Sequence, residues 1–122
     1  MAQVTITVQT RDTYHNVDEM REDNNRIGHS WFDAGNMRAF RCRVLDTVYG
    51  GHYFVSSEQH VSYYPSYFIE PRKYTVRSCW DGKIDTVGEF QAYRTAEQAK
   101  RAAREAARAI GAVSGHESTE VE

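Results

Sequence analysis

Long apolar runs are missing from this chain. No stretch approaches the roughly 18 residues needed to cross a bilayer, and the opening MAQVTITVQT alternates polar and apolar residues where a secretory leader would set charge ahead of grease. A soluble protein of the cytoplasm with no membrane partner is expected. Cysteine is scarce: Cys42 and Cys79 are the only two, whereas small domains stapled by disulfides usually carry four or more. Both are read as small core or surface thiols, with neighbours on adjacent strands as the alternative. Neither Cys-x-x-Cys nor His-x-x-x-His occurs, and His15, His29, His52, His60 and His116 lack the spacing of a zinc site. No metal or cofactor is expected. Nor does one sign of charge dominate, since the net charge is -2, with twelve Lys and Arg against nine acids in residues 31–111 and acidic stretches on either side. A dedicated DNA binder is usually basic overall, so that class is disfavoured, while a local basic face stays open.

What is present fits one domain, because 122 residues allow a single core and are short for two. The apolar share of 40 % is rich in Tyr and Phe, which points to a sheet whose core leans on rings. Gln3 to Gln9 alternates as a half-buried strand. Asn16 with Glu19 resembles a capping box ahead of Val17, Met20 and Ile27, and Ser30 with Asp33 marks a second short helix start. Arg41 to Tyr49 is two-fold in period, and Gly50-Gly51 supplies the positive φ angles of a tight hairpin into Tyr53–Ser57. Residues 57–71, bounded by Pro65 and Pro71, read as a loop, because proline cannot donate to a ladder.

Arg72 to Trp80 alternates again, Asp81-Gly82 is a second hairpin turn, and Lys83 to Tyr93 returns with a bulge or bend at Gly88. Thr95 with Gln98 caps a helix from Ala96 to Ile110 that Gly111 ends. Its alanines at 99, 102, 103, 106 and 107 form one face, to lie on the sheet or against a second copy in a homodimer. Residues 112–122 read as a disordered acidic tail. The expected fold is α+β: an antiparallel meander of four to five strands in residues 1–111, one face covered by the C-terminal helix and the other available for contact.

The segments YFVSSE, RKYTVR and GEFQAY, with MRAFRCRV ahead of them, resemble a family of small uncharacterised phage and prophage proteins over roughly residues 30–107. That resemblance implies no reaction and no catalytic residues. It implies a context in which small proteins bind host machinery or defence components in the host cytoplasm.

Candidate sites follow from the residues. Ser56, Ser57 and Glu58 could pair a nucleophile with a base, but Ser57 and Glu58 fall on opposite faces of a strand and no histidine completes a triad. A strand end, with these groups satisfying local backbone or capping the next loop, is the better reading. Arg41, Arg43, Arg72, Lys73 and Arg77 alternate with Tyr49, Tyr53, Tyr74 and Trp80, a pattern suited to a nucleotide or single strand; a ring core beside a solvated arginine face is the alternative. Tyr63, Tyr64, Tyr67 and Phe68 either pack over the core or form a contact surface. On the last helix Lys100, Arg104 and Arg108 form a basic stripe, with Glu97 and Glu105 expected to pair with Arg101. The expected function is a non-enzymatic binder of a host protein or nucleotide-like ligand, with a nucleic-acid-binding module second and an enzyme, needing His52, Glu58, Arg77 and Asp85 to converge, third.

Overall fold

A computed structural model describes residues 8 to 111 of the chain. Helix α1 (Val17–Arg26) is capped by Asn16, whose side chain accepts the Glu19 N–H at 2.9 Å, while the Glu19 carboxylate accepts the N–H of His15. This is the expected capping pair, with the return bond shifted back by one residue. Helix α2 (Ala34–Ala39) is capped by Asp33. Ser30 does not start it: Ser30 sits at φ 56° in a turn whose carbonyl accepts the Asp33 N–H, a conformation that cannot lead straight into a right-handed helix.

The strands follow as β1 (Arg43–Val44), β2 (Tyr53–Glu58), β3 (Val61–Ser62), β4 (Phe68–Ile69), β5 (Lys73–Trp80) and β6 (Lys83–Val87). Four of them form one antiparallel sheet in the order β1-β2-β5-β6. Both hairpin turns behave as their glycines dictate, with φ of 60° and 80° at Gly50 and Gly51, and 52° and 80° at Asp81 and Gly82. Gly82 has a second reason to be glycine, because a Cβ there would lie 2.8 Å from the carbonyl oxygen of Asp23. That approach lets the Tyr14 hydroxyl accept the Gly82 N–H while it donates to Asp23. It also lets Asn24 donate to the Gly82 carbonyl.

Helix α3 (Ala96–Ala109) begins at Thr95, whose hydroxyl accepts the Gln98 N–H. Ala99, Ala103 and Ala107 are fully buried against Tyr49, Tyr53, Val55 and Val76, so the alanine face covers this chain's own sheet and is not free for a second copy. Methyl side chains bring the helix close, and the tyrosine rings fill the remaining width. The architecture is therefore α+β, an antiparallel sheet backed by the C-terminal helix, as the sequence leads one to expect. Among the described residues no helix is long and apolar enough to cross a membrane.

Three expectations need correction. The sheet face away from α3 is not free: Tyr14, Val17 and Met20 pack there with Val48, Phe54 and Cys79, under Trp31 and Phe32, because the polar-looking N-terminal segment carries its own apolar stripe. Residues 57–71 are not a single loop. The ladder runs on to the pair Glu58↔Lys73, and the excursion between them is a small hairpin, β3 with β4, since Pro65 sits at its tip and leaves both flanks free to pair. Finally, the return strand stops at Val87; Gly88 turns the chain, Gln91 takes φ 58°, and Tyr93 rejoins through a single bridge to Tyr74. The strand expected over residues 3–9 and the tail over 112–122 fall mainly or wholly outside the described residues, and Val8 and Gln9 belong to no strand.

Candidate functional site: an arginine groove beside an aromatic cavity

The polar end of β2 does not reach water. Ser56, Ser57 and Glu58 are all but completely buried, and the hydroxyls and carboxylate bond to other side chains instead of capping a loop. Glu58 Oε2 accepts from Ser56 Oγ at 2.5 Å and from Arg77 Nη2 at 2.9 Å, and Oε1 accepts from Thr75 Oγ1 at 2.7 Å. Arg77 also donates from Nε to Ser56 and from Nη1 to Thr86. Its guanidinium lies near two rings, 5.3 Å from the centre of Trp31 and 5.4 Å from that of Phe90, an arrangement that favours a desolvated cation. Gln91 locks the rim: its N–H goes to Thr75 Oγ1 and its amide to the Glu58 carbonyl.

Above this network opens a cavity of about 210 Å³ lined by Trp31, Met37, Phe40, Phe90 and the Glu58–Arg77 pair, among others. Beside it, sharing Met37 and Cys42, lies a shallower groove of about 490 Å³ that gathers Arg38, Arg41, Arg43 and Arg72. Arg72 bonds to Ser57 Oγ at 2.8 Å. Among the described residues, none of these four arginines has an ion-pair partner. Burial, followed by the charge of Arg43, holds the Arg72 guanidinium below its ordinary value.

The backbone that presents Arg41 is unusual. The Arg41 N–H bonds to the Arg38 carbonyl and the Cys42 N–H to the Met37 carbonyl, the two bonds of a helix C-terminus that normally places glycine at the left-handed position. Here that position is Arg41, at φ 48°. Placing a β-carbon there costs on the order of 1 kcal/mol, and the guanidinium joins the groove at that cost. Cys42, between groove and cavity, has its thiol pushed up to about 11, first by burial and then by the Glu58 carboxylate. It is an inert wall group at neutral pH.

Residues 16–104 match a family of unknown function, DUF7447. The chain belongs to that family. The match runs from the cap of α1 into α3, so both concavities lie wholly within the DUF7447 segment, as does α1, which the sequence resemblance left out. No curated protein and no solved structure matches the chain.

Within this DUF7447 domain the sequence candidates are dispersed. Arg41, Arg43 and Arg72 come together in the groove. Lys73 stands half-buried across the ladder from Glu58, and Arg77 is buried in the network. The interleaved basic and aromatic face does not form: Tyr49, Tyr53 and Tyr74 are core under α3, which is the ring-core alternative. Tyr63, Tyr64, Tyr67 and Phe68 are displayed, with 58 to 88 % of their surface exposed. Of the four residues an enzyme would have needed to bring together, Glu58 and Arg77 meet, but His52 stacks on Trp80 and bonds to the Cys79 carbonyl, and Asp85 is exposed on β6. On α3, Glu97 pairs with Lys100 and not with Arg101. Sequence reasoning missed Arg38, Trp31, Phe40 and Phe90 as wall residues; the crowding of three arginines in RAFRCR was the one available signal for the groove.

Proposed function

We propose that the protein is a non-enzymatic binder of a phosphate-bearing, nucleotide-like ligand. The observation that carries this reading is the groove itself: Arg38, Arg41, Arg43 and Arg72 converge on one concavity with no carboxylate paired to any of them among the described residues. Guanidinium groups suit phosphate because their planar forks donate in pairs, and four like charges side by side repel one another until an anion arrives. If the chain acts in an infected host, as the phage resemblance implies, holding such a ligand without turning it over would remove it from a host response. The groove also suits a stretch of single-stranded nucleic acid, which makes that the runner-up ligand.

Titration calorimetry with inorganic pyrophosphate, a nucleoside diphosphate and a short oligonucleotide, each at about 50 and 200 mM salt, tests the reading. Binding that weakens with salt and weakens further in Arg38→Ala and Arg43→Ala is expected, with the ligand recovered unchanged. An oligonucleotide would show a slope of roughly 0.7 log units per log unit of salt for each phosphate contacted. Absence of heat with all three compounds at low salt rules the proposal out.

A second reading, that a host protein is the target, is favoured by the displayed hairpin, whose four rings offer the rigid, amphipathic contact area that interfaces prefer. A host protein that co-purifies with the native chain and is lost with Tyr64→Ser/Phe68→Ser, while pyrophosphate binding is kept, supports it. Capture that ignores those changes removes it.

A further inference from the structure

The cavity beside the groove contains a buried cation with donors to spare. The Arg77 side chain keeps 9 % of its surface exposed, and it donates three hydrogen bonds, one each from Nε, Nη1 and Nη2. A guanidinium has five N–H groups. One N–H on each terminal nitrogen is therefore bonded to no protein group among the described residues. Both belong to a group that lines the cavity, and a guanidinium there suits a ligand that brings two adjacent acceptors.

Size narrows the choice. A cavity of about 150 Å³ accepts benzene, so about 210 Å³ takes a heteroaromatic ring system and leaves no room for an attached sugar and phosphates. Those have somewhere to go, because the cavity and the arginine groove share Met37 and Cys42 as a common wall. Phe40 and Phe90, in contact at 5.3 Å between ring centres, give the apolar sides against which a flat ring rests.

Resting on the groove reading, we infer that the cavity seats the base of a guanine nucleotide. Guanine sets two acceptors, O6 and N7, side by side on one edge, the usual match for paired guanidinium donors. Adenine sets an amino group beside N7 and would turn a donor toward a donor. Uracil separates its two carbonyls with an N–H, and the acceptor pair of cytosine, O2 with N3, has O2 beside the glycosidic bond, where the sugar would crowd the cavity. Guanine rests against the Phe40–Phe90 pair with that edge on Arg77, Glu58 holds Arg77 from behind, and the phosphates lie along Arg38, Arg41, Arg43 and Arg72.

Calorimetry on the full chain with GDP, ADP and inorganic pyrophosphate at one salt concentration tests this. GDP should bind at least about fivefold tighter than ADP and tighter than pyrophosphate. Phe90→Ala, at a ring that is 43 % exposed and so tolerant of change, should remove the advantage of GDP and leave pyrophosphate untouched. Arg77→Lys, which keeps a charge for Glu58 but not the fork, should equalise GDP and ADP. Equal binding of GDP and ADP, or of GDP and pyrophosphate, overturns the guanine assignment while the groove reading stands. Failure of all three to bind overturns both.

Discussion

Replacing Arg77 with methionine isolates what the buried network contributes. The substitution keeps a long side chain between Trp31 and Phe90 but removes the one formal positive charge bonded to Glu58 among the described residues, where the Glu58 side chain is 2 % exposed. The carboxylate would retain the Ser56 and Thr75 hydroxyls, neutral donors that cannot offset desolvation of a full charge. Breaking a buried pair from one side costs about 3–5 kcal/mol, a large part of the ~5–15 kcal/mol that holds a domain of this size. Glu58→Leu strands the guanidinium in the same way and should cost a similar amount. The double variant strands neither charge, and buried pairs replaced by apolar groups are often near neutral, so its cost should fall at least ~2 kcal/mol short of the sum of the singles. Urea unfolding followed by far-UV circular dichroism reads all four corners of the cycle. A loss below about 1 kcal/mol for Arg77→Met, or costs that add within ~0.5 kcal/mol, would refute the claim that these two side chains depend on each other.

Arg41→Gly should raise unfolding free energy by about 1 kcal/mol, by relieving the left-handed residue, while weakening pyrophosphate binding; a variant that is both less stable and unimpaired in binding contradicts the account of that turn. Iodoacetamide should label Cys42 slowly at pH 8, with a rate that climbs about tenfold per pH unit toward the thiol's value of about 11 and drops when pyrophosphate is bound; fast labelling at neutral pH argues against the wall position. Burial alone would raise the Asp23 carboxyl, but the Arg11 N–H, the Tyr14 hydroxyl and the charges of Arg11 and Arg26 outweigh it and hold it below the ordinary range. Its contribution is thus present above the unfolded value near ~3.9 and lost as pH falls through the lower folded value. Asp23→Asn should flatten that part of the acid limb in urea midpoints from pH 6 to 2, and a slope equal to that of the parent would count against it.

Local signals carried much of the fold into view. Gly50-Gly51 and Asp81-Gly82 announce hairpins because few residues accept the angles required, and the Thr95/Gln98 pair and Gly111 bracket α3 for the same kind of local reason. The site was less legible, because its parts meet through the ladder and not through neighbours in the chain. Arg77 lies opposite Phe54 and Glu58 opposite Lys73, so the two charges start four positions apart, roughly 13 Å along a strand. They meet only because both long side chains lean across Ser56 and Thr75. A charge at the end of a strand normally signals solvent, and only the covering segment around Trp31, itself polar in appearance, reverses that. Phe90 was hidden for a related reason: it was read as strand, whereas the turn after Gly88 carries it over the cavity.

The closing pair Glu58↔Lys73 has a practical consequence. The ladder is sealed at that rung before the chain departs and as soon as it comes back, and the Glu70 N–H closes on the His60 carbonyl, so residues 61–69 hang from the scaffold as an insert whose ends are already tethered. Foreign loops grafted in place of residues 61–69, with Gln59 and Arg72 kept, should leave the register intact, and a library built there would vary what the domain touches without disturbing how it folds.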